Sequence, residues 1–282
     1  MPSPPHLFKE SYPKISVVIP TYKPGAYIWE CLDSLCRQTL PKDEFEVIVV
    51  LNGERDPYFS QIEYYARQHE DSLDIRLLYS EKPGVSRARN MGIDNALGDY
   101  LSFIDDDDWV TPNYLFNLLT EAEAATIVAS NVALIDESTG EPMDYFLTDA
   151  YNCVAGIEHP SFFAARSFLS PPVCKLIPKA VIADDRFPVD FSLGEDSIFV
   201  FTISKRLKRI KFTDKDTIYY VSYRTTSASR RHYSYWFRVK LALRTSLKYF
   251  SIYLKSPLDY DFIFFLSRIA ATLRKLFWKA YQ

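Results

Sequence analysis

The sequence has few cysteines and histidines, and neither type is spaced as a metal site requires. The cysteines Cys31, Cys36, Cys153 and Cys174 form no CxxC pair and are too sparse for a secreted disulfide scaffold. The four histidines show no HxxxH or HExxH spacing. A zinc site and a disulfide framework are therefore excluded, and we expect the cysteines to be reduced and structural.

Several other motifs are also missing. No GxGxxG follows the first apolar run, and neither GxxxxGK[ST] nor GxSxG occurs. Nothing approaches the roughly 18 uninterrupted apolar residues of a membrane-spanning helix. Residues 1–14 contain four prolines and lack the apolar segment of a signal peptide. Dinucleotide, P-loop and serine-hydrolase functions have no support, and the expected location is the cytoplasm.

The charge is unevenly distributed along the 282 residues. The net charge is −3, but from Arg230 onward eleven lysines and arginines face only two acids. That end carries +9, so the rest of the chain carries −12. A basic end on an acidic body favours an anionic partner, for which a membrane surface and nucleic acid are the usual candidates. The acidic body and the lack of a recognised module argue against nucleic acid.

Apolar runs alternate with helical patterns over the first hundred residues. The predicted strands are ISVVIPT, FEVIVVLNG, DIRLLYS and DYLSFI, and a helical pattern follows each of the first three. This order predicts an α/β fold with a mostly parallel sheet flanked by helices. Farther along, the patterns predict a helix over PNYLFNLLTEAEAA, a strand over TIVASNVALI, a helix after Gly194 and a strand over TIYYVSYR. In such a sheet, ligands collect beyond the carboxyl ends of the strands.

Four aspartates, Asp105–Asp108, follow the fourth strand directly. If the strand continued through them, Asp105 and Asp107 would lie on one face and Asp106 and Asp108 on the other. Adjacent carboxylates raise one another's proton affinity unless a positive charge neutralises them. A Mg²⁺ or Mn²⁺ ion with a diphosphate would do so, since these cations take one or two carboxylates and complete their shell with phosphate and water. The alternative is a solvated acidic loop.

Four motifs together resemble family 2 glycosyltransferases of the GT-A fold. They are ISVVIPTYKPG, GVSRARNMGIDNALGDY, FIDDDDW and the GED at residues 194–196, in the family's order and at about its spacing. The resemblance covers roughly residues 14–229. It implies a GT-A domain over 1–229, with a nucleotide-sugar half at about 14–108 and an acceptor half at about 109–229. Residues 230–282 lie outside the resemblance, and their own pattern predicts a basic amphipathic helical extension.

The resemblance implies a function and a set of site residues. The function is inverting, metal-dependent transfer of a sugar from a nucleotide diphosphate sugar to an acceptor hydroxyl. The implied metal ligand is Asp107 with Mn²⁺ or Mg²⁺, the implied general base is Asp196, and Glu195 would orient the acceptor or the base. The residues implied to contact the donor are Thr21, Tyr22, Asn52, Arg87, Arg89, Asn90, Asp105, Asp106, Lys175 and Arg224, with Ser227 and Ser229 in the same final loop as Arg224. A UDP-sugar is the expected donor, although Asn52 stands where the family commonly has an acid that contacts the base.

The basic end has the pattern of two amphipathic helices. Lys240, Arg244 and Lys248 lie at i, i+4 and i+8, among several leucines and aromatic residues, and FIFFLSRIAATLRKLFWKAY follows. Such helices bind membrane interfaces. The alternative is a hairpin packed on the catalytic domain or a dimer contact.

The expected acceptor is a lipid-linked or oligosaccharide substrate, within bacterial surface polysaccharide or glycolipid assembly at the inner face of the membrane. Two other functions stay open. A sugar nucleotidyltransferase would be expected to carry a glycine-rich, Lys- and Arg-containing first loop in place of PTYKPG. A non-catalytic glycan-assembly subunit would keep the fold and bind no donor.

Overall fold

The computed structural model describes residues 13–224 and 234–277, with side chains to Arg274. The strands, numbered in chain order, are β1 Ile15–Thr21, β2 Phe45–Asn52, β3 Ile75–Ser80, β4 Tyr100–Phe103, β5 Trp109–Val110, β6 Thr126–Ala129, β7 Asn131–Asp136, β8 Pro142–Met143, β9 Lys175–Pro178, β10 Arg209–Phe212 and β11 Ile218–Tyr223. The helices are α1 Tyr27–Cys36, α2 Tyr58–Gln68, α3 Val85–Asn95, α4 Tyr114–Thr120, α5 Phe146–Val154, α6 Lys179–Ile182, α7 Glu195–Ile203, α8 Tyr235–Tyr253 and α9 Phe262–Phe277.

The core of the fold is a seven-stranded sheet with the order β10-β6-β9-β4-β1-β2-β3. The first four strands are all parallel, with β1 between β2 and β4. Every residue of β1 and β2 is buried, which explains why both read as continuous apolar runs. The predicted α/β fold with a mostly parallel sheet flanked by helices is confirmed.

The second half of the chain adds to this sheet in a way that the sequence pattern did not show. Strand β9 inserts antiparallel between β4 and β6, and β10 pairs parallel to β6. The single strand predicted over 126–135 is wrong, because the chain leaves the large sheet at Ser130. Its second part, β7, belongs to a four-stranded sheet with the order β5-β11-β7-β8. The helix predicted over 112–125 is shorter and ends at Thr120.

Helix α3 lies unusually close to the central strand. A Cβ atom placed on Gly92 would lie 2.3 Å from Cγ1 of Val18 in β1. Glycine is therefore required at this crossing, because any side chain would push the helix away. The close contact brings Arg89, one turn earlier on the same helix, near the ends of the strands.

The last two helices pack on α7. Phe201 of α7 stacks on Tyr260 at 4.9 Å between ring centroids and meets the edge of Tyr249 at 5.1 Å. Tyr249, Tyr260 and Phe264 belong to the same buried hydrophobic cluster as the sheet. Within the ranges that the structure describes, no helix has the length and apolar character needed to cross a membrane.

Candidate active site

The carboxyl ends of β1, β2 and β4 meet at one edge of the large sheet. Thr21 is the last residue of β1, Asn52 is the last of β2, and the four aspartates follow β4. Because the three strands are parallel neighbours, these polar residues are close together although they are separated in sequence. The helices α3 and α7 begin near this edge and contribute Arg89 and Asp196.

The four aspartates lie on a turn. Strand β4 ends at Phe103, and the backbone amide of Asp108 donates to the carbonyl of Asp105 at 3.1 Å. The expectation that Asp105 and Asp107 lie on one face of a strand and Asp106 and Asp108 on the other is therefore wrong, because the strand ends before all four. Once the pairing stops, the pleat no longer dictates the direction of the side chains.

Each aspartate has a different partner. Asp105 accepts a hydrogen bond from Nη2 of Arg89 at 2.8 Å, and Asp106 accepts one from the hydroxyl of Thr21. Asp107 forms an ion pair with Arg224. Asp108 accepts from the hydroxyl of Tyr219 at 2.7 Å and from the backbone amide of Ser222 at 2.9 Å. Two arginines and three neutral donors thus surround the acidic turn. The four carboxyl groups of the turn thus outnumber the two arginines that contact them.

Burial dominates the ionisation of three of these acids. It raises the pKa of Asp106 to about 7, with the Thr21 hydroxyl acting in the opposite direction. Burial and the charge of Asp105 raise the pKa of Asp107, against the effect of Arg224. Burial, followed by the charge of Asp107, raises the pKa of Asp108 well above its usual range. The turn therefore favours any further positive charge that reaches it.

Arg89 joins the two halves of the site. Its guanidinium donates to Asp105 through Nη2 and to Oδ1 of Asp196 through Nη1, at 2.6 Å. Although burial disfavours its charge, Asp196 and then Asp105 hold the pKa of Arg89 above its ordinary value. One buried cation thus links the acidic turn to the first residues of α7.

Asp196 lies in the first turn of α7. Gly194 starts this helix with a positive φ of 83°, a left-handed conformation that glycine adopts without strain. The Asp196 side chain is 32% exposed. Burial raises its pKa, and Arg89 opposes that rise. The carboxylate is therefore accessible, held in place by one ion pair, and more basic than an ordinary aspartate.

Glu195 precedes it and is mostly buried. Its Oε2 has no hydrogen-bond partner within the part of the chain that the structure describes. Burial raises the pKa of Glu195, and the charge of Asp196 adds to the rise. Oε2 of Glu195, next to Asp196 in the chain, is therefore a buried oxygen that has no polar partner among the described residues.

Asn52 ties three loops together. Its Nδ2 donates to the carbonyl of Thr21 at 2.6 Å, and its Oδ1 accepts from the backbone amide of Gly84 at 2.8 Å. The ring of Tyr22 is 52% exposed and lies over Gly53, where a Cβ atom would come within 2.7 Å of Cε2. Tyr22 thus presents a flat apolar surface at the edge of the sheet, near the Asn52 side-chain amide, which is fixed by two hydrogen bonds.

Arg224 follows β11 and reaches back to the acidic turn. Besides its ion pair with Asp107, its guanidinium lies 3.9 Å from the ring centroid of Tyr27, the first residue of α1. Ser222, two residues earlier, donates to Asp108. The adjacent acids Asp107 and Asp108 thus anchor the end of β11. Ser227 and Ser229 lie outside the described residues.

Arg87, Asn90 and Lys175 were also predicted to contact the donor, and their environments differ from one another. Arg87 is exposed on α3, whereas Arg89 is buried, because residues two apart on a helix face different directions. Asn90 makes two hydrogen bonds with the backbone of Phe187, at 2.9 and 2.8 Å. The buried Lys175 donates to the carbonyls of Pro171 and Val173 at 2.6 and 3.0 Å, and burial lowers its pKa. The polar groups of Asn90 and Lys175 are thus engaged with backbone.

Sequence reasoning missed two aromatic residues of the site. Tyr219 donates to Asp108 and accepts from the backbone amide of Asp105 at 3.1 Å, and Tyr27 supports Arg224. Both lie in segments that the sequence identified only as a strand and a helix. No local pattern distinguishes them from core tyrosines, because their partners come from distant parts of the chain.

The donor set at the acidic turn suits a hard cation that also binds phosphate. Within residues 13–224 and 234–277, no three His, Cys, Asp or Glu side chains are placed to hold a metal ion by themselves. The Asp107 carboxylate is partly exposed and offers oxygen ligands, and Mg²⁺ or Mn²⁺ needs only one or two such groups when a diphosphate supplies others. The residues present therefore fit a cation that arrives with a phosphorylated ligand.

Comparison with known proteins gives consistent matches. The model of Glycosyl transferase family 2 matches residues 16–168, just over half of the chain. The poly(ribitol-phosphate) beta-N-acetylglucosaminyltransferase TarS of Staphylococcus aureus is 28% identical over 220 residues, which are 75% of this chain and 36% of TarS. The glycosyltransferase GlyA of Streptococcus pneumoniae is 34% identical over 143 residues, 49% of this chain and 19% of GlyA. The chain thus spans less than half the length of these relatives.

Solved structures share the fold. Residues 1–349 of S. aureus TarS in complex with UDP-GlcNAc superpose with a TM-score of 0.73 at 22% identity, covering 94% of this chain and 72% of that one. The mannosyltransferase PcManGT of Pyrobaculum calidifontis, in complex with GDP-Man and Mn²⁺, gives a TM-score of 0.59 at 18% identity, covering 93% and 74%. At such identities the likeness shows the fold alone, and the GT-A architecture expected from the sequence is confirmed.

Proposed function

Because the chain belongs to glycosyl transferase family 2, we propose that it transfers a sugar from a nucleotide diphosphate sugar to an acceptor hydroxyl and inverts the anomeric configuration. The observation that carries the proposal is the bridge of Arg89 between Asp105, on the acidic turn, and Asp196, at the start of α7. The guanidinium of Arg89 thus binds both an acid on the donor side of the site, Asp105, and the candidate base, Asp196. The relatives TarS and GlyA are named as glycosyltransferases.

The donor that we propose is a UDP-sugar. TarS structures contain UDP-GlcNAc and UDP, whereas PcManGT contains GDP-Man. Tyr22 would support the base by stacking, Thr21 and Asn52 would shape the nucleoside pocket, and Asp105 and Asp106 would lie near ribose and diphosphate. An amide both donates and accepts, so Asn52 can contact a base while it holds the loops.

The cationic side chains have proposed roles at the diphosphate. Arg224 would bind it after leaving Asp107, and Arg87 would reach ribose or phosphate from the exposed face of α3. We propose that Asn90 and Lys175 support the donor site through the backbone that they hold, because their polar groups are already bonded to it.

We propose that Asp107 holds Mn²⁺ or Mg²⁺ together with the donor diphosphate. Such a cation supplies Lewis-acid stabilisation of the negative charge on a departing diphosphate. The support is the oxygen-only donor set, the excess of carboxyl groups over arginines at the turn and the Mn²⁺ in the PcManGT structure. Asp107 would exchange its ion pair with Arg224 for the cation.

Asp196 is the proposed general base. Its carboxylate would take the proton from the acceptor hydroxyl as the oxygen forms a bond to the anomeric carbon and the bond to the diphosphate breaks. A single displacement of this kind inverts the anomeric configuration. Arg89 would orient Asp196 and keep it ionised, and the unpartnered Oε2 of Glu195 would accept a hydrogen bond from the acceptor.

The acceptor that we propose is a lipid-linked or growing oligosaccharide in bacterial surface glycan assembly. Residues 230–282 would act as an extension of the GT-A domain that contacts the inner face of the cell membrane. The basic charge of this segment supports that role.

A donor screen tests the proposal against its rivals. The full chain is melted in the presence of a panel of nucleotide sugars, with and without Mn²⁺, and release of nucleoside diphosphate is then followed with glycan acceptors. A transferase is stabilised by its donor and releases the diphosphate. A nucleotidyltransferase would instead release pyrophosphate from a sugar phosphate and a nucleoside triphosphate. A non-catalytic subunit would show no donor-dependent stabilisation, and this result would contradict the proposal.

A further inference from the structure

One face of α8 carries a stripe of apolar side chains that ends at Leu254, the residue after the helix. Successive members are separated by seven, four, three and four residues, spacing that places them on one side of a helix. Each is exposed: Trp236 72%, Leu243 57%, Leu247 68%, Phe250 44% and Leu254 70%. Exposed single leucines are ordinary, but a contiguous run of this length marks an interaction surface.

Helix α9 extends the same surface. Phe262, Ile263, Leu266 and Leu273 are exposed on its outward side, and Leu258 in the connection is 99% exposed. The two helices meet through stacked rings, with Tyr253 of α8 lying 4.2 Å from Phe265 of α9. The ten exposed apolar side chains named in this paragraph and the one before it are called the outer apolar surface from here on.

Three lysines lie within or beside this surface. Lys240 lies within the α8 stripe, four residues after Trp236, and Lys248 and Lys255 follow along one flank. No ion pair of these three lysines is found within the described residues. Between residues 234 and 277 the sequence contains only two acids, Asp259 and Asp261.

We propose that the outer apolar surface lies in the interfacial layer of an anionic lipid membrane, with α8 and α9 parallel to the membrane plane. The described helices do not span a bilayer, whereas a broad apolar face bordered by lysines and carrying a tryptophan suits the headgroup boundary. A second copy of the chain fits less well. The surface is two helices wide rather than one seam, and a symmetric contact would bring unpaired lysines of both copies together.

The opposite face of α8 holds the helix that carries Asp196. Thr245 and Tyr249 are buried there, about half a turn from the exposed stripe, and the Tyr249 hydroxyl donates to Ser197 at 2.9 Å. The start of α7 is therefore separated from the lipid by the thickness of α8, about 10–12 Å. The acceptor would then be a glycan on a lipid anchor, whose reacting hydroxyl is close to the membrane surface. This last step rests on the proposed transferase function, but the lipid contact does not.

Vesicle flotation of the full chain tests the contact. We expect binding to vesicles of phosphatidylcholine with phosphatidylglycerol, little binding to phosphatidylcholine alone, and loss of binding at high salt. Leu247→Gln should weaken binding about tenfold, because it replaces an apolar side chain at the centre of the lipid contact with a polar one. The matched control is Leu97→Gln, at a leucine that is 50% exposed in a different part of the molecule; its binding should equal that of the unmodified protein.

A charge variant gives a second measurement. Lys248→Glu should weaken binding about fivefold or more, since it replaces a positive charge beside the anionic surface with a negative one. Lys215→Glu, at an exposed lysine far along the chain from α8, should have no effect. Equal melting temperatures of all variants would show that they are folded.

Three results would overturn the proposal. The first is failure of the unmodified chain to float with anionic vesicles. The second is vesicle binding of both Leu247→Gln and Lys248→Glu that equals the binding of the unmodified chain. The third is an unmodified chain that binds no vesicles and sediments as a dimer, which Leu247→Gln dissociates. Donor-dependent stabilisation in lipid-free buffer is measured separately. Loss of that signal alone would contradict the transferase function and leave the lipid contact standing.

Discussion

Nη1 of Arg89 donates to Oδ1 of Asp196 at 2.6 Å, and the two residues are 107 positions apart in the chain. Because the same guanidinium also binds Asp105, the position of Asp196 depends on the acidic turn. A change on the donor side of the site therefore reaches the candidate base through one buried side chain.

Asp196→Asn should abolish transfer and preserve donor binding. The amide oxygen still accepts from Arg89, but it cannot take a proton from the acceptor, and loss of a general base costs about 10²–10⁴ in rate. Turnover and donor affinity would be measured on the same preparation. Asp94→Asn is the matched control, since Asp94 also accepts from an arginine, Arg186, but lies away from the site. Turnover close to that of the unmodified protein would exclude Asp196 as the base.

Arg89→Met should move the acidic limb of the pH–rate profile to higher pH. The base is active when ionised, so activity falls as the pH drops through the pKa of Asp196. Burial already raises that pKa, and the positive charge of Arg89 opposes the rise. Removing the charge raises the pKa further. The readout is the position of the limb rather than its height, and Arg67→Met, at an exposed arginine of α2, should leave it in place. An unmoved limb in Arg89→Met would show that Arg89 does not tune the base.

Asp107→Ala should remove the Mn²⁺-dependent part of donor binding, because the carboxylate is the proposed link between cation and protein. Titration calorimetry with the donor, with and without Mn²⁺, would measure it. Asp216→Ala, at an exposed aspartate in the loop before β11, serves as the control. Donor affinity that still responds to Mn²⁺ in Asp107→Ala would refute the assigned ligand.

Arg224→Met should change cation and donor binding in opposite directions. The arginine pairs with Asp107, so its removal frees the carboxylate, and Mn²⁺ should bind about fivefold more tightly without nucleotide, equivalent to roughly 1 kcal/mol. Donor binding in the presence of Mn²⁺ should weaken, since a diphosphate contact is lost. Electron paramagnetic resonance of free Mn²⁺ measures the first effect, with Arg37→Met as an exposed, ion-paired control. A fall in Mn²⁺ affinity would mean that Arg224 does not compete for Asp107.

Asn52→Asp should destabilise the fold by about 1–3 kcal/mol. The amide donates to the carbonyl of Thr21, and a carboxylate would place a second acceptor against that oxygen. Urea unfolding of the free protein would measure the change. Asn152→Asp makes the same substitution at an exposed position of α5 and should be nearly neutral. Equal stability of both variants would show that the three loops do not depend on this amide.

The sequence alone determined the class of fold and the position of the acidic motif. Continuous apolar runs over β1 and β2 and helical spacing over α1 and α3 reflect burial within each segment, so local pattern is enough to identify them. The position of a carboxylate at a strand end follows from the same runs. The two helices of the basic end were predicted in the same way, from apolar and basic residues at helical spacing.

Only the tertiary structure decided the partners of the charged groups. Asp107 and Arg224 are 117 residues apart, and Asp108 and Tyr219 are 111 apart. Their meeting depends on the order of strands in two sheets, including the antiparallel insertion of β9 and the division of 126–136 between both sheets. A local pattern carries no information on strand order, because the free energy that selects it comes from packing between distant segments. For the same reason the sequence could not show which face of α8 packs on α7 and which stays exposed.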